Sequence, residues 1–361
     1  MTAPTPITSA DNAPRPFRTF GDQLQAVMRA ESDSLPDGRL LQVRAAAGGS
    51  EAVPSDGGFL VQPQFSRQII QRMYNTGEIY RRCLEIPTTS SSLMFPQFDE
   101  KARTALSRLG GVQVFNLPEA GSLTSLSTHP SFQLTELKTD RIAGLLYVSD
   151  ELADDSSALG TWAEYALSQE VLFTLENQIV TGTGAGQPLG MMNSPALITV
   201  AEEPGQAAAS VVSQNVINML SRLWAPSRKN AVWLYHQDLL PWLIQLKIVV
   251  GVAGAESSLW HFAEGDEDGI DRLGGIPAFP SEYCQVPGTP GDLILADFSR
   301  YVIAMREKER LDVSIHLKFL TMERAFRFTM RVGGGTIDRT PILPLHGSST
   351  TSPFICLAAR A

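Results

Sequence analysis

Cysteine is scarce in this 361-residue chain: Cys83, Cys284 and Cys356 stand far apart and are odd in number. That excludes a disulfide framework and paired zinc-ligand spacing, and it suits a reducing compartment. Histidine is as thin. No two of His129, His236, His261, His316 and His346 lie one helical turn apart, so metal catalysis has no support. No stretch approaches the roughly 18 uninterrupted apolar residues of a membrane span. Met1 to Ala13 has neither a basic start nor an apolar block, so it is not a secretory signal. Positive charge is also short. A net charge of −9 is the wrong sign for a protein that grips nucleic-acid phosphates. Gly-x-Ser-x-Gly, His-Glu-x-x-His and Gly-Lys-Ser/Thr do not occur, which removes the commonest hydrolase and nucleotide signatures. No cofactor is expected.

What remains is an ordinary globular composition, 43% hydrophobic and 19% charged, long enough for two or three domains. Among the bases, 23 are Arg and 6 are Lys. Arginine's planar fork suits subunit contacts, and a GC-rich coding bias explains the ratio equally well. Residues 1–16 carry Pro4, Pro6, Pro14 and Pro16 and read as an arm. Phe17, Phe20, Leu24, Val27 and Met28 then recur at helical spacing. This amphipathic helix sits between two polar segments, so its apolar face is expected to dock elsewhere, a neighbouring subunit included.

Gln64 to Tyr80 reads as a helix. Residues 97–140 form a long polar excursion between strands, best described as an unburied hairpin. Ser149 is expected to cap a turn at Asp150, and a helix of about 35 Å runs from about Leu159 to Thr181. Trp162, Tyr165, Leu172, Leu175 and Ile179 are placed on its one apolar face. Beyond it, Val211–Leu223 and Gln237–Val249 read as helices, the second requiring Pro241 in its first turn. Ala231–Tyr235, Ile276–Phe279 and Leu293–Ala296 read as strands, as do segments of Leu311–Val332. The chain leaves one domain and returns, so a second is inserted.

Two acidic features invite chemistry. Glu264, Asp266, Glu267, Asp268 and Asp271 resemble a calcium loop, but Ile270 occupies the third ligand position, and a solvated loop is the expectation. Asp154 and Asp155 diverge by about 100° on a helix, which suits a helix start better than paired acid and base work.

Thr181-Gly-Thr-Gly-Ala-Gly-Gln-Pro-Leu-Gly190 follows a helix instead of a strand, so its glycines end that helix and do not cradle phosphate. This turn resembles the one after the spine helix of tailed-phage major capsid proteins with the Hong Kong 97-like fold. Further strings similar to that family follow in order: Val53–Pro63, Val148–Ser156, Leu273–Pro277, Gly291–Ser299, Glu323–Arg327 and Met330–Val332. The likeness spans roughly residues 17–340.

The resemblance implies an α+β chain: an N-terminal arm over 1–57, a peripheral domain over 58–96, 141–185 and 305–340, and an extended loop over 97–140. An axial domain occupies 186–304, and 341–361 is a tail with no role beyond a surface or intersubunit contact. It implies self-assembly as hexamers and pentamers into an icosahedral virion head around phage double-stranded DNA, without sequence-specific binding and without a membrane. Assembly would take place in the host bacterial cytoplasm, with a portal and separate scaffolding or decoration proteins as further partners. The arm before Gly57 is short for a built-in scaffolding segment. Phe17, Phe20, Leu24, Lys101, Arg103, Arg108, Glu119, Lys138 and Arg141 are the candidate intersubunit contacts. Some relatives join a loop lysine to an asparagine; Lys101 and Lys138 qualify, but residues 311–331 contain no Asn, so no such crosslink is expected. An encapsulin-type cellular compartment is the alternative, and a monomeric enzyme built on the inserted domain is the rival from another class.

Overall fold

The computed structural model describes residues 17–33, 37–40, 58–60, 71–73, 76–98, 114, 116, 132–149, 156–250, 255–263, 269–314 and 323–360. Two compact units share the chain. The first takes residues up to Arg81, Asp140–Leu175 and Arg306–Val332; the second takes Arg82–Thr139, Glu176–Met305 and Gly333–Ala361.

In the first unit, α1 (Phe20–Asp33) is opened by a reciprocal pair: the Asp22 N–H donates to the Thr19 hydroxyl and the Thr19 N–H to the Asp22 carboxylate. Each bond satisfies an amide that the helix end leaves over. The sheet runs β1 (Gly58–Leu60), β14 (Tyr301–Ser314), β15 (Glu323–Thr336), β5 (Asp140–Ser149). The long antiparallel pairing of β5 with β15 sets Leu146 opposite Phe326 and Gly144 opposite Phe328. Leu146, Val148, Phe326 and Phe328 are buried. Helix α2 (Ser156–Thr181) approaches this sheet where Gly144 leaves room: a Cβ there would stand 3.3 Å from the Leu167 side chain.

Ser149 is the last residue of β5, opposite Glu323, because the Leu146–Val148 alternation carries the strand on to it; the turn expected at Asp150 lies outside the described residues. The helix begins at Ser156, three residues before Leu159. Asp154 and Asp155 lie outside the described residues, as does most of Gln64–Tyr80, of which 71–73 are helical.

The second unit is built on a mixed seven-stranded sheet in the order β10 (Trp260–His261), β11 (Arg272–Leu273), β12 (Ile276–Pro280), β7 (Val232–Tyr235), β13 (Leu293–Ala296), β16 (Phe354–Leu357), β6 (Ile198–Val200). β7, β13 and β16 are buried at every residue, as expected of apolar runs covered on both faces. Helix α3 (Ser213–Arg222) contributes Val216 and Met219 to the core, which also holds Trp233, Leu243, Trp260 and Ile355. The Asn215 side chain accepts from the Val212 N–H at its start, and the Trp233 indole N–H donates to the Leu273 carbonyl.

The helix expected over Gln237–Val249 is short. α4 covers Leu240–Ile244 with Pro241 in its first turn, and the chain then turns into β8 (Lys247–Val250), paired with β9 (Ala255–Ser258). Three consecutive β-branched residues, Ile248 to Val250, favour the extended form.

The C-terminal residues are not a surface tail. Phe354–Leu357 lies between β13 and β6, paired antiparallel to one and parallel to the other. Arg360 and Asp292 form an ion pair with no side-chain exposure on either partner. Gly333, Gly334 and Gly335 do not end the fold either, but continue β15. A Cβ on Gly334 would meet the Tyr301 hydroxyl at 2.7 Å, and one on Gly335 the Leu137 side chain at 2.9 Å, so close packing requires glycine there.

Candidate assembly surfaces

Helix α2 presents two unlike faces. Ala163, Leu167, Val171, Leu172, Leu175 and Ile179 are buried. Trp162, Tyr165 and Phe173 are 43%, 53% and 50% exposed. At 3.6 residues per turn the three fall on one stripe along the outer side, with the Arg72 guanidinium 5.1 Å from the Tyr165 ring centre. This corrects the sequence reading, which grouped Trp162 and Tyr165 with Leu172, Leu175 and Ile179. Ser168 and Glu176 on the same helix are buried. Three large aromatics half exposed in a row make this stripe a candidate contact surface.

The turn closing α2 is built from backbone contacts. The Gly182 N–H donates to the Gln178 carbonyl, and the Gly190 N–H returns to the Gly182 carbonyl at 2.8 Å. The Asn193 amide donates to the carbonyls of Thr181 and Gly182, both at 2.9 Å, satisfying helix-end acceptors. Gly184 and Gly186 supply the positive φ values, whereas Gly182 and Gly190 are needed for space: a Cβ on either would collide with backbone atoms. The turn is fixed in the second unit by Leu189, whose N–H donates to the Gly334 carbonyl and whose carbonyl accepts from the Tyr301 hydroxyl, both at 3.0 Å.

The extended excursion begins and ends as an antiparallel ribbon, β3 (Ser92–Phe98) with β4 (Phe132–Lys138). Register sets Met94 opposite Glu136 and Pro96 opposite Leu134, so the four share one face, and both Met94 and Leu134 are exposed. Lys138 and Arg141 are exposed at the base. Lys101, Arg103, Arg108 and Glu119 lie outside the described residues. Phe17, Phe20 and Leu24 are buried within the chain itself, so the face of α1 meant for a neighbour is already covered here.

Candidate chemistry gains nothing. Glu264, Asp266, Glu267 and Asp268 lie outside the described residues, while Asp271 accepts from the Ala263 N–H. Among the described residues, no three His, Cys, Asp or Glu side chains gather as a metal site, and no helix is long and apolar enough to cross a membrane. The three cysteines are free thiols; burial, with a smaller push from the Asp292 carboxylate, drives Cys284 up to about 12.

A long helix ending in a glycine turn, a projecting ribbon and half-exposed aromatic faces define a building subunit of the α+β, Hong Kong 97-like class. Solved structures share this fold: the capsid of an empty GTA particle aligns with a TM-score of 0.54 at 17% identity, covering 79% of this chain and 90% of the other. The capsid of the native GTA particle aligns at 0.55 and 17% identity, covering 78% and 90%. The chain belongs to the phage capsid family, whose model matches residues 57–347. No curated protein matches the sequence.

Proposed function

We propose that this chain is a major capsid protein whose copies assemble, as hexamers and pentamers, into the icosahedral head enclosing a tailed phage's double-stranded DNA. The observation carrying this is the family match, which runs from before the first sheet strand through both units. No catalysis is needed. Stability comes from many moderate contacts per copy, which together exceed any one of them. The exposed face of the β3–β4 ribbon offers Met94 and Leu134, and α2 offers Trp162, Tyr165 and Phe173; the ribbon of one copy laid over α2 of the next would cover both.

Charge supports the same pairing. Between Lys101 and Arg108 the loop carries three bases and no acid, whereas α2 carries no base and exposes Glu170. A net charge of −9 leaves the enclosed DNA loosely held, which suits its packaging and release. A portal and separate scaffolding or decoration proteins are the expected further partners, the virion the final location, and the host bacterial cytoplasm the place of assembly. The encapsulin-type alternative has no specific observation in its favour.

Sedimentation of the purified full chain tests the reading. Fast-sedimenting closed particles support it; a monomer that stays monomeric when produced with its neighbouring genes refutes it.

A further inference from the structure

Acid is missing from two stretches of a chain that carries 38 Asp and Glu: residues 204–237 and 339–361 contain neither. The fold brings the two together. Leu223 bridges Ser352 in parallel register, the Trp224 N–H donates to the Ser352 carbonyl at 3.1 Å, and the Ser352 N–H donates to the Arg222 carbonyl at 3.0 Å. The Arg222 guanidinium adds a bond to the Thr350 carbonyl. One end of the second unit is thereby built from segments that bring no negative side chain.

The acids that other segments bring to this end are already occupied. Asp297 is buried, and its carboxylate accepts from the N–H and the hydroxyl of Ser299. The Arg300 guanidinium donates twice to the Asp338 carboxylate, at 2.7 and 2.9 Å, and itself lies 5.4 Å from the Trp224 ring centre. On the α3 side, Glu203 accepts from the Asn218 amide and, with Glu202, marks the border of the acid-free surface. Arg228, Lys229 and Arg339 are left over, all exposed and none paired with an acid among the described residues. Asn230, His346, Ser348 and Ser349 are exposed on the same two segments.

We infer that this acid-free end binds the phosphate backbone of duplex nucleic acid, and that in the closed shell it faces the enclosed DNA. The inference rests on the capsid reading above and says which side of the second unit points inward. The donors select phosphate: Arg and Lys beside neutral hydroxyl and amide groups are the side chains that hold nucleic-acid backbones without reading sequence. An acidic protein partner needs large apolar anchors as well, and among the described residues of these two segments Leu345 is the only large hydrophobic side chain exposed. Three contacts per copy make a weak hold, in keeping with a chain whose net charge is −9, and repetition over a shell sets the total. Such a contact is salt-sensitive: three phosphates give a slope of about −2.7 in log affinity against log salt, a loss of about 40-fold between about 50 and 200 mM.

The probe is a fluorescent duplex of mixed sequence, titrated by anisotropy into dissociated full-length subunits and, separately, into closed particles. Subunits are expected to bind with the slope above, and closed particles to leave the added duplex free. Arg228→Gln with Lys229→Gln should weaken subunit binding at least about tenfold and bring the slope to about −0.9. Arg81→Gln with Lys247→Gln changes the net charge equally and should leave both quantities as they were. Equal losses in the two pairs, or binding without a salt slope, overturn the patch alone. Closed particles that bind added duplex as tightly as subunits do overturn its inward placement. A polyglutamate peptide that binds the subunits more tightly than the duplex does makes the occupant an acidic protein and refutes the nucleic-acid contact. An unsubstituted chain that never forms particles overturns the capsid reading and the inward placement with it.

Discussion

Replacing Arg360 with Ala should unfold the second unit far more easily than its place near the end of the sequence suggests. In the folded chain the Arg360 guanidinium pairs with Asp292 through two contacts, one of them 3.3 Å, and both side chains are fully buried. Arg360 also donates to the Ala358 carbonyl, and its backbone N–H donates to the Gly288 carbonyl at 2.9 Å. Truncation strands the Asp292 carboxylate in the interior, with the Gly288 N–H at 2.8 Å as its remaining donor. Breaking a buried pair this way costs about 3–5 kcal/mol, because one charge is left uncompensated. Domains are stable by about 5–15 kcal/mol in all, so the loss is a large fraction. With a denaturant slope of about 2–3 kcal/mol per molar, the urea midpoint should fall by about 1–2 M. Asp292→Asn combined with Arg360→Met should recover most of it, since neither partner then carries a charge. A shift below about 0.3 M for Arg360→Ala alone would refute the reasoning.

Gly190→Ala should destabilise the turn after α2 by at least about 2 kcal/mol, because its Cβ has only backbone to displace; an unchanged melting temperature would contradict this. Tyr235 is held up to about 12, chiefly by burial and then by the Asp271 charge. Its folded value lies above the unfolded value of about 10, so its contribution to stability is intact below pH 10 and is lost as pH rises from about 10 to 12. Phenolate absorbance and unfolding, followed together across that range, check the sign. Cys284 should resist alkylation at pH 8 until the chain is unfolded, since little thiolate exists there; labelling of the native chain at this residue would count against its burial. Trp162→Asp with Phe173→Asp should leave the monomer's unfolding unchanged and abolish particles, as read by sedimentation; persistence of particles would remove α2 from the interface.

Periodicity made some elements legible. Val212, Val216 and Met219 repeat at helical spacing and lie in or beside α3, and the short apolar runs at Val232 and Leu293 became buried strands. It failed on α2 because Trp162 and Tyr165 stand barely a turn's rotation from buried leucines, and their size argued for burial. Pattern alone cannot separate a side chain buried in its own unit from one waiting for a neighbour. Phe354–Leu357 was missed as a strand because its partners, Leu293–Ala296 and Ile198–Val200, are remote in sequence. Glycine spacing at 182 and 190 was visible; that both serve close backbone approach was not, because the opposing atoms come from the last turn of α2 as well as from Gly182 and Pro188, brought together only by the fold.

The most direct measurement is negative-stain electron microscopy of the full chain purified on its own and with its neighbouring gene products. The account predicts closed, uniform shells, or rings of five and six subunits where scaffolding is absent. A uniform monomer under both conditions would contradict it.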